Sequence, residues 1–332
     1  MHKVFVTGGA GFIGSHLTDR LIASADVEQV TVLDALTYAG DRRNLADAEQ
    51  SGKLRFVHGD LRNHDLVSAV LPGHDWVVHL AAESHVDRSL RDVAQSVRTN
   101  VMGTQALLDV AMRTDVAKLV HVSTDEVYGP LPTGSAAEDA PLRPTVPYAS
   151  SKACSDLLAF SYYISQGVPV CITRSSNNYG PRQHPEKLIP RFLALLLAGQ
   201  PVTLHGDGRH VRNWLHVADN CRAIDIVLRK GTPGETYNIA GGTDLTTLAL
   251  TRLLIKATGS SADAITHIPD RPANDIRYSM TWDKIANLGF APIRDFPEGL
   301  ADTIDWYRTH PERLALRSEI SQHAAEFEGA PA

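Results

Sequence analysis

Five side chains in this 332-residue sequence have types and spacing suited to proton chemistry. Tyr148 and Lys152 stand four apart in PYASSKACSDLLAF. On a helix opened by Pro147 they share one face. A tyrosine is a weak base at its ordinary pKa of about 10. A neighbouring ammonium favours its phenolate, so the pair can take a proton from an alcohol. Thr124, Asp125 and Glu126 form the second group, at the end of the stretch KLVHVST. A hydroxyl with Tyr and Lys suffices for hydride transfer at an alcohol, and two adjacent carboxylates exceed that need. They suit a reaction in which one acid protonates a leaving group while a base removes a carbon-bound proton. The alternatives are an ordinary exposed Tyr–Lys pair, and an N-cap followed by a solvated turn carboxylate.

A dinucleotide would explain the surroundings of these residues. Gly8, Gly11 and Gly14 lie in TGGAGFIG, directly after the apolar run VFVT. Glycines there allow a tight turn and close approach of backbone N–H groups to a pyrophosphate at a helix N-terminus. Asp34 closes the next apolar run, QVTVLD, 20 residues past Gly14. A carboxylate there accepts the ribose hydroxyls and repels a 2′-phosphate, which favours NAD over NADP. Arg42 and Arg43 are a counter-signal, since a nearby Arg can hold that phosphate. Asp60 in HGDL reads either as a partner of the adenine amino group or as a helix N-cap.

The elements that must position these residues are strands alternating with helices. VFVTG, QVTVLD, LRFVHGD, WVVHLA, KLVHVST and VPVCITR are β-rich runs separated by helical stretches. That alternation implies right-handed crossovers, hence an α/β chain with a Rossmann-type doubly wound parallel sheet. Strands buried on both faces are near-continuously apolar. After about Gly180 prolines break the alternation, and PVTLHG and ETYNIAG mix with helices such as LTTLALTRLLIKATG. The expected division is an NAD-binding domain over 1–180, with a returning segment near 210–240, and an interleaved C-terminal α/β substrate lobe over 181–320.

Composition excludes other classes. Net charge is −6 with no long basic run, which disfavours a nucleic-acid partner. No apolar stretch approaches the roughly 20 residues of a membrane helix, and the first residues do not read as a signal peptide. A cytoplasmic enzyme with no membrane partner is expected. Cys154, Cys171 and Cys221 fit neither a disulfide framework nor a zinc site, and the 15 His show no metal-ligand spacing, so no metal is expected.

Over residues 3 to about 310 the sequence resembles the dTDP-glucose 4,6-dehydratases of the extended short-chain dehydrogenase/reductase superfamily. The resemblance rests on TGGAGFIGSH, LDALTYAGDRRNL, HLAAESHVDRS, TNVMGT, HVSTDEVYG, PYASSKA, TRSSNNYGPRQHPEKLIP, HGDGRHVRNWLHVAD, YNIAGG and DRPANDIRYS. TDEVYG together with AAESHVDRS is the specific part, because related epimerases and decarboxylases generally lack the acid pair. The resemblance implies a lyase that removes water from a nucleoside-diphosphate hexose. Tyr148 takes the C4 hydroxyl proton, Glu126 the C5 proton, Asp125 protonates the departing C6 hydroxyl, Thr124 bonds O4, and Lys152 holds the cofactor ribose. It also implies NAD contacts from Phe12, Ile13, Asp34, Thr37, Asp60, Leu61, Ala82, Thr99 and Asn178. Sugar-nucleotide contacts would come from Ser84, Asn177, Lys187, Leu188, Arg212, Asn238, Arg271 and Asp275, with the cations Lys187, Arg212 and Arg271 suited to a diphosphate.

Three departures fall in the nucleotide-facing lobe. His205, counted with the substrate contacts, stands where the family has Tyr, Asn213 where it has an acid, and Ala273-Asn274 where it has Gly-His. A UDP-linked substrate is therefore an alternative, as are a sugar-nucleotide 4-epimerase or decarboxylase, or a non-catalytic NAD-binding protein. The apolar stretches VMGTQALLDVAM and SDLLAFSYYI lead to the expectation of a homodimer.

Overall fold

The computed structural model describes residues 1–270 and 275–315. The first strands are β1 (His2–Thr7), β2 (Val27–Asp34), β3 (Leu54–His58), β4 (Trp76–His79), β5 (Lys118–Thr124) and β6 (Val170–Ser175). Then follow β7 (Asn177–Tyr179), β8 (Val202–His205), β9 (Val211–His216), β10 (Thr236–Ile239), β11 (Thr243–Thr246) and β12 (Ile265–Ile268). Seven of them form one parallel sheet in the order β10-β6-β5-β4-β1-β2-β3. The chain moves outward from β1 through β2 and β3, then returns to add β4, β5 and β6 on the other side. The reversal between β1 and β4 leaves a crevice beyond the carboxyl ends of the strands.

Alternate residues of these strands feed two cores. Val4, Val6, Val32, Val78 and Val120 pack against Leu17 and Leu21 of helix Phe12–Ile22 and Ile224 and Val227 of helix Val217–Lys230. Phe5, Leu33, Val77, Leu119 and Ile172 pack on the opposite face against Leu107, Leu108 and Ala159. Each fully buried side chain of this size stabilises by about 1.5–3 kcal/mol relative to exposure. The doubly wound parallel sheet expected from the alternation is thus present.

After β6 the chain leaves the sheet. β7 and β11 flank β9 in a three-stranded sheet, and β12 pairs with β8. A third core, including Phe192, Leu193, Leu250, Leu254, Ile304 and Tyr307, joins the helices of this half. ETYNIAG crosses back: β10 pairs in parallel with β6 at the sheet edge, and helix Val217–Lys230 lies on helix Phe12–Ile22.

Helix Pro147–Gln166 positions Tyr148 and Lys152, and its limits are chemical. Proline at its first turn needs no N–H partner, and Val146 before it is extended. It stops at Gly167, whose φ of 71° is left-handed and whose N–H bonds the Tyr162 and Tyr163 carbonyls.

Candidate active site

The glycine turn after β1 has no room for side chains. Gly8 has φ of +71°, and a Cβ on it would lie 2.7 Å from the Ala81 backbone nitrogen. A Cβ on Gly14 would overlap the Gly8 carbonyl oxygen and lie 2.8 Å from the Gly9 Cα. Helix Phe12–Ile22 starts at Gly11 with no capping side chain, so its first N–H groups are available to an anion. Asp34 ends β2 beside this turn. Its Oδ2 accepts from Ala10 N (2.9 Å) and its Oδ1 from Leu36 N (2.8 Å), and burial raises its pKa. Arg42 pairs with Glu49 and Arg43 with Asp41, so both guanidiniums are engaged. Asp60 is no helix cap: it pairs with Arg62, while Asn63 caps helix His64–Val70.

At the end of β5 the Thr124 hydroxyl accepts from Glu126 N (3.3 Å), capping the single turn Asp125–Tyr128. The hydroxyl does cap, but the acids it orders are not solvated. Asp125 is 4% exposed, and burial, with Glu126 second, pushes its carboxyl up to about 7. Burial also raises Glu126, against the opposing pull of Arg212 and Lys187. Lys152 is buried with Asp125, and Tyr148 and Glu126 are half-buried beside them. The Lys152 ammonium donates to the Val122 carbonyl (2.8 Å), and burial lowers its pKa to about 8.

Tyr148 departs from the sequence-based expectation of a lowered pKa. Burial, then the charges of Glu126 and Asp125, push its phenol well above the ordinary value, and Lys152 does not offset them. The same two acids that add proton-transfer capacity oppose a phenolate beside them.

One cleft of about 1730 Å³ of open space unites these groups. Gly8, Gly11, Phe12, Ile13, Gly14, Asp34, Thr37, Asp60, Leu61, Ala82, Thr99 and Asn178 line one stretch of it. Thr124, Asp125, Glu126, Tyr148 and Lys152 line it as well, with Ser84, Asn177 and Lys187. Lys187 donates to the Ser84 carbonyl at 2.7 Å. Arg212 lies over the Tyr278 ring (4.5 Å) and acts electrostatically on both acids. Asp275 accepts from the Thr145 and Tyr278 hydroxyls, each at 2.6 Å.

Other expected substrate contacts are placed elsewhere. Asn238 is fully buried with its amide committed: Oδ1 accepts from the Tyr128 hydroxyl, and Nδ2 donates to the Ala136 and Thr281 carbonyls. Both Nδ2 hydrogens are used and the side chain is shut off from the cleft, so Asn238 is a structural tie. Leu188 opens helix Leu188–Leu197 and packs on the third core rather than lining the cleft. His205 ends β8 outside the cleft lining, its ring bonded to the Pro269 carbonyl. Arg271, with Ala273 and Asn274, lies outside the described residues.

The structure adds residues that the sequence reading passed over. Glu186 lines the cleft, nearly buried, beside Arg88 (3.2 Å), and burial raises its pKa. Its position next to Lys187 in HPEK was the available signal. Tyr278 closes the Arg212–Asp275 corner and is itself part of the quoted DRPANDIRYS stretch. Among the described residues no group of three or more His, Cys, Asp or Glu is placed to hold a metal ion.

Known proteins share this architecture. The family model described as GDP-mannose 4,6 dehydratase matches residues 5–303. A dTDP-glucose 4,6-dehydratase of Streptomyces griseus is 51% identical over 310 residues, 92% of this chain and 94% of that protein. One from Actinoplanes sp. is 49% identical over 314 residues, 93% of this chain and 98% of that protein. The crystal structure of a Streptomyces venezuelae dTDP-glucose 4,6-dehydratase with NAD and TYD bound superposes with a TM-score of 0.91 at 48% identity, covering 93% of this chain and 98% of that one. With the acid pair, the Tyr–Lys helix and the glycine turn gathered around one cleft, the chain belongs to the dTDP-glucose 4,6-dehydratase family.

Proposed function

We propose that the chain catalyses the NAD-dependent 4,6-dehydration of dTDP-glucose to dTDP-4-keto-6-deoxyglucose and water. The observation that carries this reading is that Asp125 and Glu126 are enclosed in the same cleft as Tyr148 and Lys152, with Asp125 pushed to about 7. A carboxyl that keeps its proton near neutrality can give it to a leaving hydroxyl; an ordinary solvated aspartate cannot.

The cleft fits NAD: a glycine turn in which a Cβ would collide, an uncapped helix start, and an acid at the end of β2 with both nearby arginines engaged. NAD, when bound, supplies the hydride acceptor and donor, and its positive ring would oppose the push of Glu126 and Asp125 against a phenolate at Tyr148. In the assigned roles Tyr148 takes the C4 hydroxyl proton while Thr124 bonds O4. The resulting 4-keto group acidifies the C5 proton, which Glu126 removes. Asp125 protonates the C6 oxygen, which leaves as water; C6 takes back the hydride given up at C4 and C5 is reprotonated, so the cycle is redox-neutral. Lys187 and Arg212 are cations for the diphosphate, with Ser84, Asn177 and Asp275 on the sugar-nucleotide side.

Residues 1–180 with the returning segment near 210–240 form the NAD-binding half in this reading, and 181–320 the substrate lobe. We assign a homodimer: Val93, Val97, Met102, Leu157, Phe160 and Ile164 are 41–66% exposed, a larger apolar display than scattered surface residues. A cytoplasmic site agrees with three free cysteines and with the absence, among the described residues, of a helix long and apolar enough to cross a membrane.

The test is incubation with dTDP-glucose and UDP-glucose separately, reading the alkali-induced ultraviolet absorbance of a 4-keto sugar and the mass loss of one water. Dehydration of dTDP-glucose is expected. Turnover of UDP-glucose alone would move the base assignment, and loss of water from neither would overturn the reading.

A further inference from the structure

Tyr148, Lys152 and Asp156 are spaced four apart on helix Pro147–Gln166 and form one stripe running from the cleft into the core. Asp156 is 2% exposed, a carboxyl with no access to solvent. Its Oδ2 accepts from Arg174 Nε of β6 at 2.9 Å, and its Oδ1 lies 3.3 Å from His121 Nε2 of β5. The Arg174 guanidinium also donates to the Tyr128 hydroxyl (2.8 Å) and the Glu138 carbonyl (3.2 Å). A carboxylate in the interior is costly unless it answers nearby cations. Arg174 is its ion-pair partner, and Lys152 lies one helical turn earlier on the same face.

The charged and titratable groups around Lys152 come from every packed element. Its own helix brings Tyr148 and Asp156. β5 and the turn after it bring His121, Asp125 and Glu126; β4 brings His79 and β6 brings Arg174. His79 is held between the Thr7 and Thr104 hydroxyls at 2.7 and 2.9 Å. Both histidines are kept neutral, mainly by burial: His79 well below its ordinary value and His121 at about 4. Burial works against the Asp156 carboxylate, but the His121 ring close to it and the Arg174 guanidinium outweigh it and hold the group ionised. Asp156 is thus the anion behind Lys152, as Asp125 and Glu126 are the acids in front.

We propose that Asp156 is a positioning residue of the reaction: fixed by Arg174 one helical turn behind Lys152, its buried negative charge favours the Lys152 ammonium that the Val122 carbonyl holds at the cleft. Burial alone draws the ammonium toward neutrality, and Asp156 opposes that pull. The inference rests on the proposed function only for its effect on turnover; the state of Lys152 is a property of the chain itself.

The experiment is competitive acetylation of the folded protein with acetic anhydride across neutral to alkaline pH, with Lys152 labelling read by peptide mass spectrometry. The parent is expected to reach half-reactivity near pH 8. Asp156→Asn is expected to lower that midpoint by about one pH unit, as loss of a nearby opposite charge does. Arg174→Gln, which removes the cation offsetting Asp156, is expected to raise it. The alkaline limb of kcat/KM for dTDP-glucose should move in the same two directions. Coincident midpoints for the parent and Asp156→Asn, or shifts of the same sign in both variants, would overturn the proposal. If Asp156→Asn does not fold, Arg174→Gln decides: an upward shift supports the proposal and any other result rejects it. A parent protein that labels as expected but does not dehydrate dTDP-glucose would instead refute the proposed function.

Discussion

Replacing Asp125 by Asn should abolish dehydration and yet stabilise the protein, by an amount that depends on pH. The Asp125 carboxyl is displaced from 3.8 to about 7, chiefly by burial. Between these values the folded state retains a proton that the unfolded chain releases, so folding stability falls as pH rises. The loss starts near pH 3.8, grows to about pH 7 and is constant above it. At 1.36 kcal/mol per pKa unit the displacement of about three units costs on the order of 4 kcal/mol. Asparagine has nearly the same shape, keeps an acceptor for the Thr124 hydroxyl and never ionises. With an unfolding entropy of about 2.1 cal/mol/K per residue over 332 residues, the gain is about 6 °C in Tm at alkaline pH. Melting both proteins by calorimetry at several pH values checks this. A gain equal at acidic and alkaline pH, or no gain above pH 7, would refute the account of Asp125 as a carboxyl strained by enclosure.

Three further outcomes follow from the geometry. Glu126→Gln removes the base assigned to the C5 proton, so formation of the 4-keto-6-deoxy product should fall by about 10²–10⁴-fold. Substrate-dependent absorbance of reduced nicotinamide should still develop, and its loss would place Glu126 in the first oxidation instead. Gly14→Ala drives a methyl group into the Gly8 carbonyl, which should cost about 1–3 kcal/mol and remove the rise in Tm that NAD produces in the parent. An unchanged NAD-induced rise would contradict the cradle. Leu157→Glu combined with Phe160→Glu places charge on the exposed apolar helix face, and light scattering should then give a monomer where the parent gives a dimer; a dimeric variant would move the interface elsewhere.

The first half of the fold was readable because its strands are buried on both faces. Val4, Val32, Val78 and Val120 mark β1, β2, β4 and β5 as apolar runs, and only helices fit between them. β7 has only three residues and β11, four long, is exposed or half-buried throughout, so neither shows as an apolar run. Val97–Met102, which runs into TNVMGT, winds as a wider π turn before the α-helix resumes. Asn100 there bonds the Glu83 backbone and the Ser151 hydroxyl, partners distant in sequence. Asn238 was misplaced for a related reason. An asparagine in a quoted motif looks like a ligand contact, and only the fold brings Tyr128 and Ala136, more than 100 residues away, against it. The charge state of Tyr148 was also out of reach, since neighbours on one helix reveal Lys152 but not the depth at which Asp125 and Glu126 sit.

The course of the chain after β6 limits how relatives of this enzyme can be recombined. It departs for β7, β8 and β9, comes back to lay β10 on the sheet, and departs again for β11 and β12. A chimera made with a single crossover near residue 180 would import β10 from the donor and force a foreign strand onto the edge of β6. Grafting only the specificity-bearing parts therefore takes two separate inserts, one on either side of 217–239, with the host keeping that segment as its own.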